Sequence, residues 1–403
     1  MAKKANPAGC DVFISGAGVP GLTLAILLGQ AGLRVAVADA APLPGAPDTL
    51  PPAARNRTSA FMKGSVNILA RTGAWADCLE EGAPLCRLSI LDRHRTRRDE
   101  KLRVDFQARD IGLAEFGVNM PNEILRAALV KRARKIANIT LLAPAALDEI
   151  EVMAQQVAIT LATGQVFTAA LAVGADGRHS KLRERAGIAF KTQDYDQAAL
   201  TCLFHHSRPH ENTSLEFHYP GGPFTTVPLP GNTSSLVWVE RGMDADALMR
   251  LRKAEFTATL QKRTEGLLGR VSLATAPSCW PLISCAADRL TAPRVALMAE
   301  AAHVLHPMGA QGLNLSLRDA AALAELIIEA KQLGLDPGST TLLDRYERAR
   351  HLDIQGRRHG TDMLARLLVR DNPLAQDARR AGLKLVDSFF PLKAMIMKKG
   401  LAA

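Results

Sequence analysis

The chain has 403 residues, 47% of them hydrophobic, which is enough for two domains with a substantial apolar core. Its formal net charge is +10, and a basic balance of this kind suits nucleic acid, an anionic membrane surface or acidic ligands. Aromatic residues make up only 4% of the chain, which argues against a surface that stacks the bases of nucleic acid. We therefore expect no nucleic-acid partner.

The localisation is predicted from what the sequence lacks. No apolar run reaches the roughly 18 residues of a transmembrane helix, and the basic N-terminal residues lack the apolar core of a signal peptide. The six cysteines are scattered and none forms C-x-x-C, so we expect reduced thiols and no metal site. These features predict a cytoplasmic protein.

The N-terminal residues predict a βαβ unit that binds a dinucleotide. Apolar strands are predicted at residues 10–15 and 34–38, with a helix between them that ends at about residue 30. The intervening glycines have the spacing G-x-G-x-x-G, at Gly16, Gly18 and Gly21. The first glycine makes a tight turn, the second lets the backbone approach a pyrophosphate, and the third packs helix on strand. Asp39 follows the second strand and would accept hydrogen bonds from an adenosine ribose, but the unit does not distinguish FAD from NAD.

Strand-rich segments interrupt the dinucleotide-binding part twice, so we predict interleaved domains. The fold class is α/β, with a Rossmann-like domain, a mixed-sheet substrate domain and C-terminal helices. The predicted segments are 1–76, 103–195 and 291–345 for the dinucleotide-binding domain, 77–102 and 196–290 for the substrate domain, and 346–403 for the helical region.

Three local expectations follow from residue patterns. Residues 122–134 predict an amphipathic helix with Asn122 as its N-cap. Strands are predicted at residues 152–161 and 166–172. The basic run at residues 93–98 is interpreted as the solvated end of a hairpin.

Residues 294–326 predict a short strand, a loop and a helix that begins near Leu313. The loop contains His303, His306, Pro307, Gly309, Gln311 and Gly312. A helix N-terminus has unpaired N–H groups and a partial positive charge. We therefore expect this loop to hold an electron-rich, partly anionic group.

Three motifs together resemble those of the group A FAD-dependent aromatic hydroxylases, which share the para-hydroxybenzoate hydroxylase fold. The motifs are GAGVPG at 16–21, VGADGRHSKLR at 173–183 and AEAAHVLHPMGAQGLNLSLRDA at 299–320. Within this class, four further features resemble the ubiquinone-biosynthesis hydroxylases. They are the sequence of the loop in the third motif, residues 57–60, the helix at Asn122, and Tyr346-Glu347 with Arg350. The sequence GAQGLNL is most similar to the alphaproteobacterial UbiL branch of that family.

The resemblance implies an extended FAD. The three glycines would face the pyrophosphate and Asp39 the ribose, while Arg57 would lie near the isoalloxazine ring or the ribityl chain. N–H groups around residues 312–314 would point at N1 and O2, where reduced flavin carries negative charge. The cofactor-binding residues implied in this way are Gly16, Gly18, Gly21, Asp39, Arg57, Arg126, Asp176, Glu300, Gly309, Gln311, Gly312, Leu313 and Asn314.

The reaction implied by the resemblance needs a reductant, O2 and a phenol. NAD(P)H or another reductase system would reduce FAD, O2 would add at flavin C4a as a hydroperoxide, and its distal oxygen would pass to the ring of a polyprenylated phenol. The implied catalytic residues are His306, Pro307 and Arg57. For His306, proton transfer and a positioning hydrogen bond both stay open.

The sequence departs from the family pattern at two places. Ala299-Glu300 stands where the family has Gly followed by Asp or Asn, and Arg126 stands where these hydroxylases usually have Gln. Three alternatives to the expected function remain: a hydroxylase of another phenol, another flavin oxidoreductase, and a degenerate paralogue that is a non-catalytic subunit. The tryptophan-halogenase pattern W-x-W is absent.

The C-terminal residues 378–399 predict an amphipathic helix rich in Lys and Arg. One interpretation is docking on the inner membrane or on a partner protein of a ubiquinone-biosynthesis complex. The other is a helix packed at the junction of the domains.

Overall fold

A computed structural model of the chain describes residues 8–46, 49–50, 56–93, 101–219, 221–369 and 373–401. The strands are β1 (Ala8–Ser15), β2 (Val35–Ala38), β3 (Thr58–Met62), β4 (Ala83–Leu85), β5 (Arg87–Arg93), β6 (Lys101–Gln107), β7 (Gly117–Pro121), β8 (Ile139–Leu142), β9 (Leu147–Val152), β10 (Val157–Leu161), β11 (Val166–Gly174), β12 (Phe190–His206), β13 (Thr213–Tyr219), β14 (Gly222–Leu229), β15 (Thr233–Arg241), β16 (Val271–Leu273), β17 (Ser278–Ala287), β18 (Thr291–Ala292), β19 (Val295–Leu297) and β20 (His303–Val304). The helices are α1 (Val19–Gln30), α2 (Lys63–Arg71), α3 (Asn122–Ala133), α4 (Lys181–Arg185), α5 (Gly242–Met249), α6 (Lys253–Arg263), α7 (Gln311–Gln332), α8 (Thr340–Val369), α9 (Pro373–Ser388) and α10 (Phe390–Leu401).

The first sheet is mainly parallel, in the order β18-β19-β11-β1-β2-β8, with β10 on β11 and β9 on β10. The apolar residues of β1 are fully buried, namely Val12, Phe13 and Ile14. Helices cover both faces of a parallel sheet, so its inner strands consist of consecutive apolar residues. Ser15 lies beside Ala38 and Gly174, and Gly174 lies beside Leu297. The strands β1, β2, β11 and β19 therefore end together at one edge, where open α/β sheets bind ligands.

The second sheet has the order β20-β17-β12-β15-β14-β13-β5-β6, with β16 on β12. Its strands are antiparallel neighbours except for β13 and β5, which run parallel. One face carries an aromatic cluster in which Phe224 meets Trp238 edge to face, with ring centroids 5.4 Å apart. The third sheet, β3-β7-β4, is held against the second, since Thr58 on β3 and Asn119 on β7 both hydrogen-bond Ser235 on β15.

The sheets cross the domain boundaries expected from sequence. Strand β6 ends at Gln107, past the boundary at 102, and pairs with β5 in the second sheet. Strand β12 begins at Phe190, before the boundary at 196, and α8 continues through the boundary at 345. The predicted boundaries at 102, 195 and 345 therefore fall within a strand or a helix. The division of the chain into three regions stays a prediction.

Two local expectations need correction. Residues 152–161 are the end of β9, a turn and then β10, because Met153 N–H donates to Gln156 O at 2.8 Å and closes a hairpin. Asn122 is the first residue of α3 and Pro121 is the N-cap; the Asn122 N–H instead donates to Arg57 O at 2.9 Å. The basic run at 93–98 lies outside the described residues apart from Arg93, although β5 and β6 do form a hairpin.

Helices α1 and α4 pack on the first sheet, whereas α5, α6 and α9 pack on the second. Helix α1 also contacts both α3 and α7. Within the described residues, no helix is both long enough and apolar enough to cross a bilayer.

Candidate active site

The glycine-rich turn after β1 has the geometry that the sequence pattern predicts. Gly16 has φ +110°, and a Cβ there would lie 2.2 Å from Ala175 O, so the turn can hold only glycine. A Cβ on Gly21 would lie 2.1 Å from Gly16 O, which explains the close approach of α1 to the turn. Gly18, the N-cap of α1, faces open space, with only Pro20 Cδ within 4 Å of its added Cβ. That space lies where a phosphate group could meet the helix N-terminus.

Asp39 and Arg126 both hold the backbone of the glycine-rich turn. Asp39 Oδ2 accepts a hydrogen bond from Ala17 N–H at 2.7 Å, and Arg126 Nε donates to Ala17 O at 2.9 Å. Arg126 Nη2 lies 3.7 Å from Asp39 Oδ2, and the side chain of Arg126 is largely buried. Arg126 is therefore not a solvated residue, and its charge lies beside the turn that would hold the phosphates.

Asp176 lies on the other side of the same turn and caps the short helix α4. Its Oδ2 accepts hydrogen bonds from Ser15 Oγ at 3.1 Å and from the N–H groups of Lys181 and Leu182 at 3.0 and 3.3 Å. Its Oδ1 is buried and has no hydrogen-bond partner among the described residues. A buried acceptor without a donor is costly, so this oxygen is suited to a hydroxyl group of a ligand.

The loop after β19 brings Arg57 and Glu300 together. Arg57 Nη2 lies 3.8 Å from Glu300 Oε1, and the Arg57 guanidinium carbon lies 5.9 Å from the ring centroid of Trp280. Both charged side chains are exposed and face the same solvent-accessible space. Ala299 has φ +56°, a left-handed conformation that disfavours any residue with a Cβ.

A buried carboxylate, Asp319 on α7, fixes this loop. Its Oδ2 accepts hydrogen bonds from Ala299 N–H at 3.0 Å and from His303 Nε2 at 2.6 Å, and its Oδ1 accepts one from Arg350 Nε at 2.8 Å. Burial acts to raise the pKa of Asp319, but the neighbouring His303 and Arg350 hold it below its ordinary value. His303 is thereby a structural residue of the loop.

A second carboxylate, Asp353 on α8, extends this arrangement to the start of α7. It lies 2.9 Å from both Arg350 and Arg357 and 3.1 Å from Arg318, and Arg357 donates a hydrogen bond to Gln311 Oε1. We call this set the Asp319–Asp353 network; its members are His303, Gln311, Arg318, Asp319, Arg350, Asp353 and Arg357. The network holds both ends of the loop from residue 299 to residue 311.

The helix α7 begins at Gln311, two residues earlier than predicted. The N–H groups without an intrahelical acceptor are therefore those of the first turn, ending at Leu313, rather than those around residues 312–314. A Cβ on Gly312 would meet no atom within 4 Å, so this first turn faces open space. The Asn314 side chain is used within the protein, since Oδ1 accepts from Met62 N–H at 2.8 Å and Nδ2 donates to Ala60 O at 2.8 Å. A cofactor contact for Asn314 stays a prediction.

His306 is buried and polar, yet neither ring nitrogen has a hydrogen-bond partner among the described residues. Its ring packs edge to face on Tyr195 with centroids 4.9 Å apart. Burial lowers the pKa of His306 to about 4, with Asp362 opposing the shift, so the imidazole is neutral at physiological pH. Pro307 is exposed and precedes a short 3-10 turn, Met308–Ala310, in which Gly309 has φ +65°.

Three residues of the site were missed by the sequence analysis. Asn56 and Asn122 each have a buried Oδ1 without a partner among the described residues, and both are close in the chain or in space to Arg57. Asp319 was present in the motif but had no assigned role. A charged residue within the apolar stretch that follows Leu313 was the available signal for Asp319. Asn122 was predicted only as a helix cap, and nothing in the sequence indicated Asn56.

Four residues of the candidate site thus form one line along the carboxyl edge of the first sheet. Gly16, Asp39, Asp176 and Ala299 come directly after, or two residues after, the ends of four neighbouring parallel strands. Helix α3 connects the two ends of the line, with Arg126 near the glycine-rich turn and Asn122 near Arg57. The open space at Gly18 and Gly312 and the unpaired Asp176 oxygen fit an extended FAD, with phosphates at one end and the flavin ring at the other.

Known proteins share this sequence pattern and this fold. The FAD binding domain family matches residues 9–356. The structure resembles p-nitrophenol 4-monooxygenase PnpA from Pseudomonas putida, with a TM-score of 0.79, 20% identity and 98% of each chain covered, a level of identity that supports the fold alone. Fold and family together define an FAD-dependent flavoprotein with the architecture of para-hydroxybenzoate hydroxylase-like enzymes.

Two relatives in sequence are ubiquinone hydroxylases. The ubiquinone hydroxylase UbiL of Rhodospirillum rubrum is 36% identical over 389 residues, which are 96% of this chain and 88% of that protein. The 3-demethoxyubiquinol 3-hydroxylase of Escherichia coli is 29% identical over 393 residues, with 97% and 98% of the two chains covered. The chain belongs to the ubiquinone-biosynthesis hydroxylase family, whose members are FAD-dependent aromatic monooxygenases.

Proposed function

We propose that the protein hydroxylates the aromatic ring of a polyprenylated phenol in ubiquinone biosynthesis, with O2 as co-substrate and NAD(P)H or a reductase system as electron donor. The observation that carries the proposal is the row of residues at the carboxyl ends of four neighbouring strands, to which Asp319 of α7 is joined by a hydrogen bond from Ala299 N–H. The ubiquinone hydroxylases among its relatives support the substrate class.

When bound and reduced, FAD supplies the chemistry that activates O2 and delivers one oxygen atom to the phenol. The chain contributes charge and orientation. The free N–H groups at the start of α7 would stabilise negative charge on the pyrimidine ring, and the Asp319–Asp353 network holds that turn in place. Arg57 would place a positive charge near the flavin or its ribityl chain.

His306 is assigned the role of orienting the phenol. A neutral imidazole with two unpaired nitrogens can donate one hydrogen bond and accept another. With its pKa lowered to about 4, it is a weak base and is not a cationic acid at neutral pH, which favours positioning over proton transfer. Pro307 would keep the following turn rigid beside the reacting ring.

The finer assignments concern partners and localisation. We propose that the protein works with other proteins of ubiquinone biosynthesis and contacts the inner membrane peripherally from the cytoplasm. The support is chemical: a polyprenyl tail partitions strongly into a bilayer, at about 0.8 kcal/mol for each buried CH₂ group, so an enzyme for such a phenol must meet it at or near the membrane.

The decisive experiment is deletion of the gene with analysis of the quinone precursors that accumulate. We expect a precursor that lacks one ring hydroxyl, restored to ubiquinone by the wild-type gene and not by a His306→Phe variant. Unchanged ubiquinone would exclude this substrate and leave another phenol.

A second candidate function is a non-catalytic subunit, and Ala299 is the observation that favours it. The strained φ of Ala299 and the longer side chain of Glu300 lie where the family pattern has Gly and Asp or Asn. The visible spectrum of the purified protein decides between the two. A colourless protein that acquires no flavin spectrum with added FAD would support the subunit and contradict the hydroxylase.

A further inference from the structure

The helices α9 and α10 have one face packed on the second sheet, which we call the substrate-side sheet because most of its strands lie in the predicted substrate domain. Helix α9 contacts β6, and α10 contacts the 3-10 turn Ala108–Ile111. Arg379 and Arg380 of α9 lie 2.8 and 3.4 Å from the buried carboxylate of Asp92 on β5. Met397 of α10 is buried in the same cluster as Phe106. The two helices are therefore an integral part of the fold.

These helices and the junction between them also expose a set of large apolar side chains. Its members are Leu385, Phe389, Phe390, Met395 and Ile396, and we call this set the apolar face. Phe389 and Phe390 are 54% and 53% exposed and lie at the junction between the two helices. Soluble monomers rarely expose neighbouring large apolar side chains without a ligand or partner for them.

The charges around the apolar face are mainly positive. Together α9 and α10 contain six Lys or Arg residues and two Asp residues. Three of the lysines, Lys384, Lys398 and Lys399, are exposed, and one aspartate, Asp387, is paired with Lys393 at 2.8 Å. Exposed aromatic and aliphatic side chains bordered by lysines are the pattern of helices that lie in the interface of an anionic bilayer.

We propose that the apolar face docks on an anionic membrane surface, with Phe389 and Phe390 inserted below the headgroups and the three lysines on the lipid phosphates. This inference rests on the proposed function for its biological purpose, and it adds the surface that makes the membrane contact. A second copy of the chain is a poorer occupant, because it would bring like charges together. Docking in this way brings the substrate-side sheet to the bilayer, since α9 packs on β6.

The test is sedimentation of the purified full-length protein with vesicles of phosphatidylcholine alone and with about 30% phosphatidylglycerol. We expect binding to the anionic vesicles that weakens with salt. The double variant Phe389→Ser with Phe390→Ser should lose about tenfold or more in partition coefficient. The triple variant Lys384→Gln, Lys398→Gln and Lys399→Gln should lose about a hundredfold, at roughly fivefold for each lysine.

The matched control is Leu333→Ser with Leu335→Ser, because these two leucines are 64% and 59% exposed but lie in the turn after α7. This control should bind vesicles as the wild type does, and thermal unfolding should confirm that all variants fold. Absence of binding to anionic vesicles, or equal loss in the control, overturns the proposal. The proposal is also overturned if light scattering shows a dimer and the double variant Phe389→Ser with Phe390→Ser abolishes it. Vesicle binding requires no catalytic turnover. A failure to bind vesicles would therefore not contradict the proposed hydroxylase activity, which the analysis of quinone precursors tests separately.

Discussion

The guanidinium of Arg57 lies 3.8 Å from the carboxylate of Glu300, so the residue that departs from the family pattern is paired with a residue expected beside the flavin. The Arg57 side chain is 68% solvent-exposed and the Glu300 side chain is 50% solvent-exposed. An exposed ion pair of this kind contributes at most about 1 kcal/mol. It can therefore separate without much cost when a ligand enters between the two residues.

We predict that Glu300→Gln weakens FAD binding while leaving stability almost unchanged. If the carboxylate accepts a hydrogen bond from the ribityl chain, replacing this charged acceptor by a neutral amide oxygen should cost about 1 kcal/mol of binding, roughly fivefold in Kd. Quenching of FAD fluorescence on titration measures the Kd. Glu325→Gln is the control, because Glu325 forms a similar exposed pair with Arg71 at 3.2 Å, away from the site. An unchanged Kd in Glu300→Gln would remove Glu300 from the cofactor site.

Gly312→Ala and Gly21→Ala should have opposite effects on stability. A Cβ on Gly312 meets nothing, and alanine favours helix over glycine by about 0.5–1 kcal/mol, so the variant should be slightly more stable but bind FAD more weakly. A Cβ on Gly21 would lie 2.1 Å from Gly16 O, so that variant should lose about 1–3 kcal/mol of stability. Urea unfolding of the FAD-free proteins and FAD titration separate the two effects. Unimpaired FAD binding by Gly312→Ala would contradict the assignment of this space to the cofactor.

Asp319→Asn should be strongly destabilising. The substitution removes one of the two carboxylates that pair with the buried Arg350 and leaves only Asp353, at a cost of up to about 3–5 kcal/mol in the free energy of unfolding. The double variant Asp319→Asn with Arg350→Leu should recover part of that loss, because no unpaired charge remains. Asp344→Asn, an exposed substitution on α8, should change the unfolding free energy by less than about 0.5 kcal/mol. Equal unfolding curves for Asp319→Asn and Asp344→Asn would show that the network contributes nothing.

The buried His306 should make the protein less stable in mild acid. Its pKa is about 4 when folded and its ordinary value is 6.5, so the unfolded chain binds a proton that the folded protein excludes. The stability contribution is complete above pH 6.5 and falls as the pH drops from 6.5 towards 4, by up to about 3 kcal/mol. His306→Gln should show a shallower pH dependence of the unfolding free energy over this range.

The exposed His351 provides the control for that experiment, since it lies on the surface of α8. His351→Gln should keep the steep acid dependence of the wild type. A His306→Gln variant with the same acid slope as the wild type would mean that the imidazole is solvated rather than buried.

Ala299→Gly should stabilise the protein in spite of the flexibility of glycine. The left-handed conformation costs an alanine about 1–2 kcal/mol, and glycine loses about 0.5–1 kcal/mol through its unfolded state, so the net gain is about 0.5–1 kcal/mol. Ala322→Gly, in the middle of α7, should instead lose about 1 kcal/mol. Thermal unfolding of the two variants compares them directly, and destabilisation by both would indicate that Ala299 is not strained.

The local chemistry of the glycine-rich turn could be predicted from sequence because it depends on residues close in the chain. The confirmed fold class followed from the resemblance of three motifs, at residues 16–21, 173–183 and 299–320. The roles of Gly16 and Gly21 in the close packing of the turn required only the spacing of strand, turn and helix. The site as a whole stays a prediction, although four residues, Gly16, Asp39, Asp176 and Ala299, do lie at one sheet edge.

The Asp319–Asp353 network could not be predicted in the same way. It depends on how α7 packs against α8, and several Arg and Asp residues of α8 could have faced solvent with the same sequence pattern. Asn122 illustrates a second limit of prediction from sequence, since long-range contacts are not visible in it. The Asn122 N–H donates to the carbonyl oxygen of Arg57, a residue far away in the chain. The hairpin at residues 152–161 was missed because its turn, residues 153–156, contains none of the Gly, Pro, Asn or Asp residues that usually mark a turn.

The Asp319–Asp353 network also determines when during synthesis the active site can form. The glycine-rich turn emerges first, but the loop at residues 299–311 is held by Arg350, Asp353 and Arg357 of α8. Since domains generally fold from the N-terminus as the chain grows, the flavin-ring end can become ordered only when roughly the last tenth of the chain remains to be made. Chains that end before residue 350 should therefore bind FAD much more weakly than the full-length protein, and a titration of such products with FAD measures the difference.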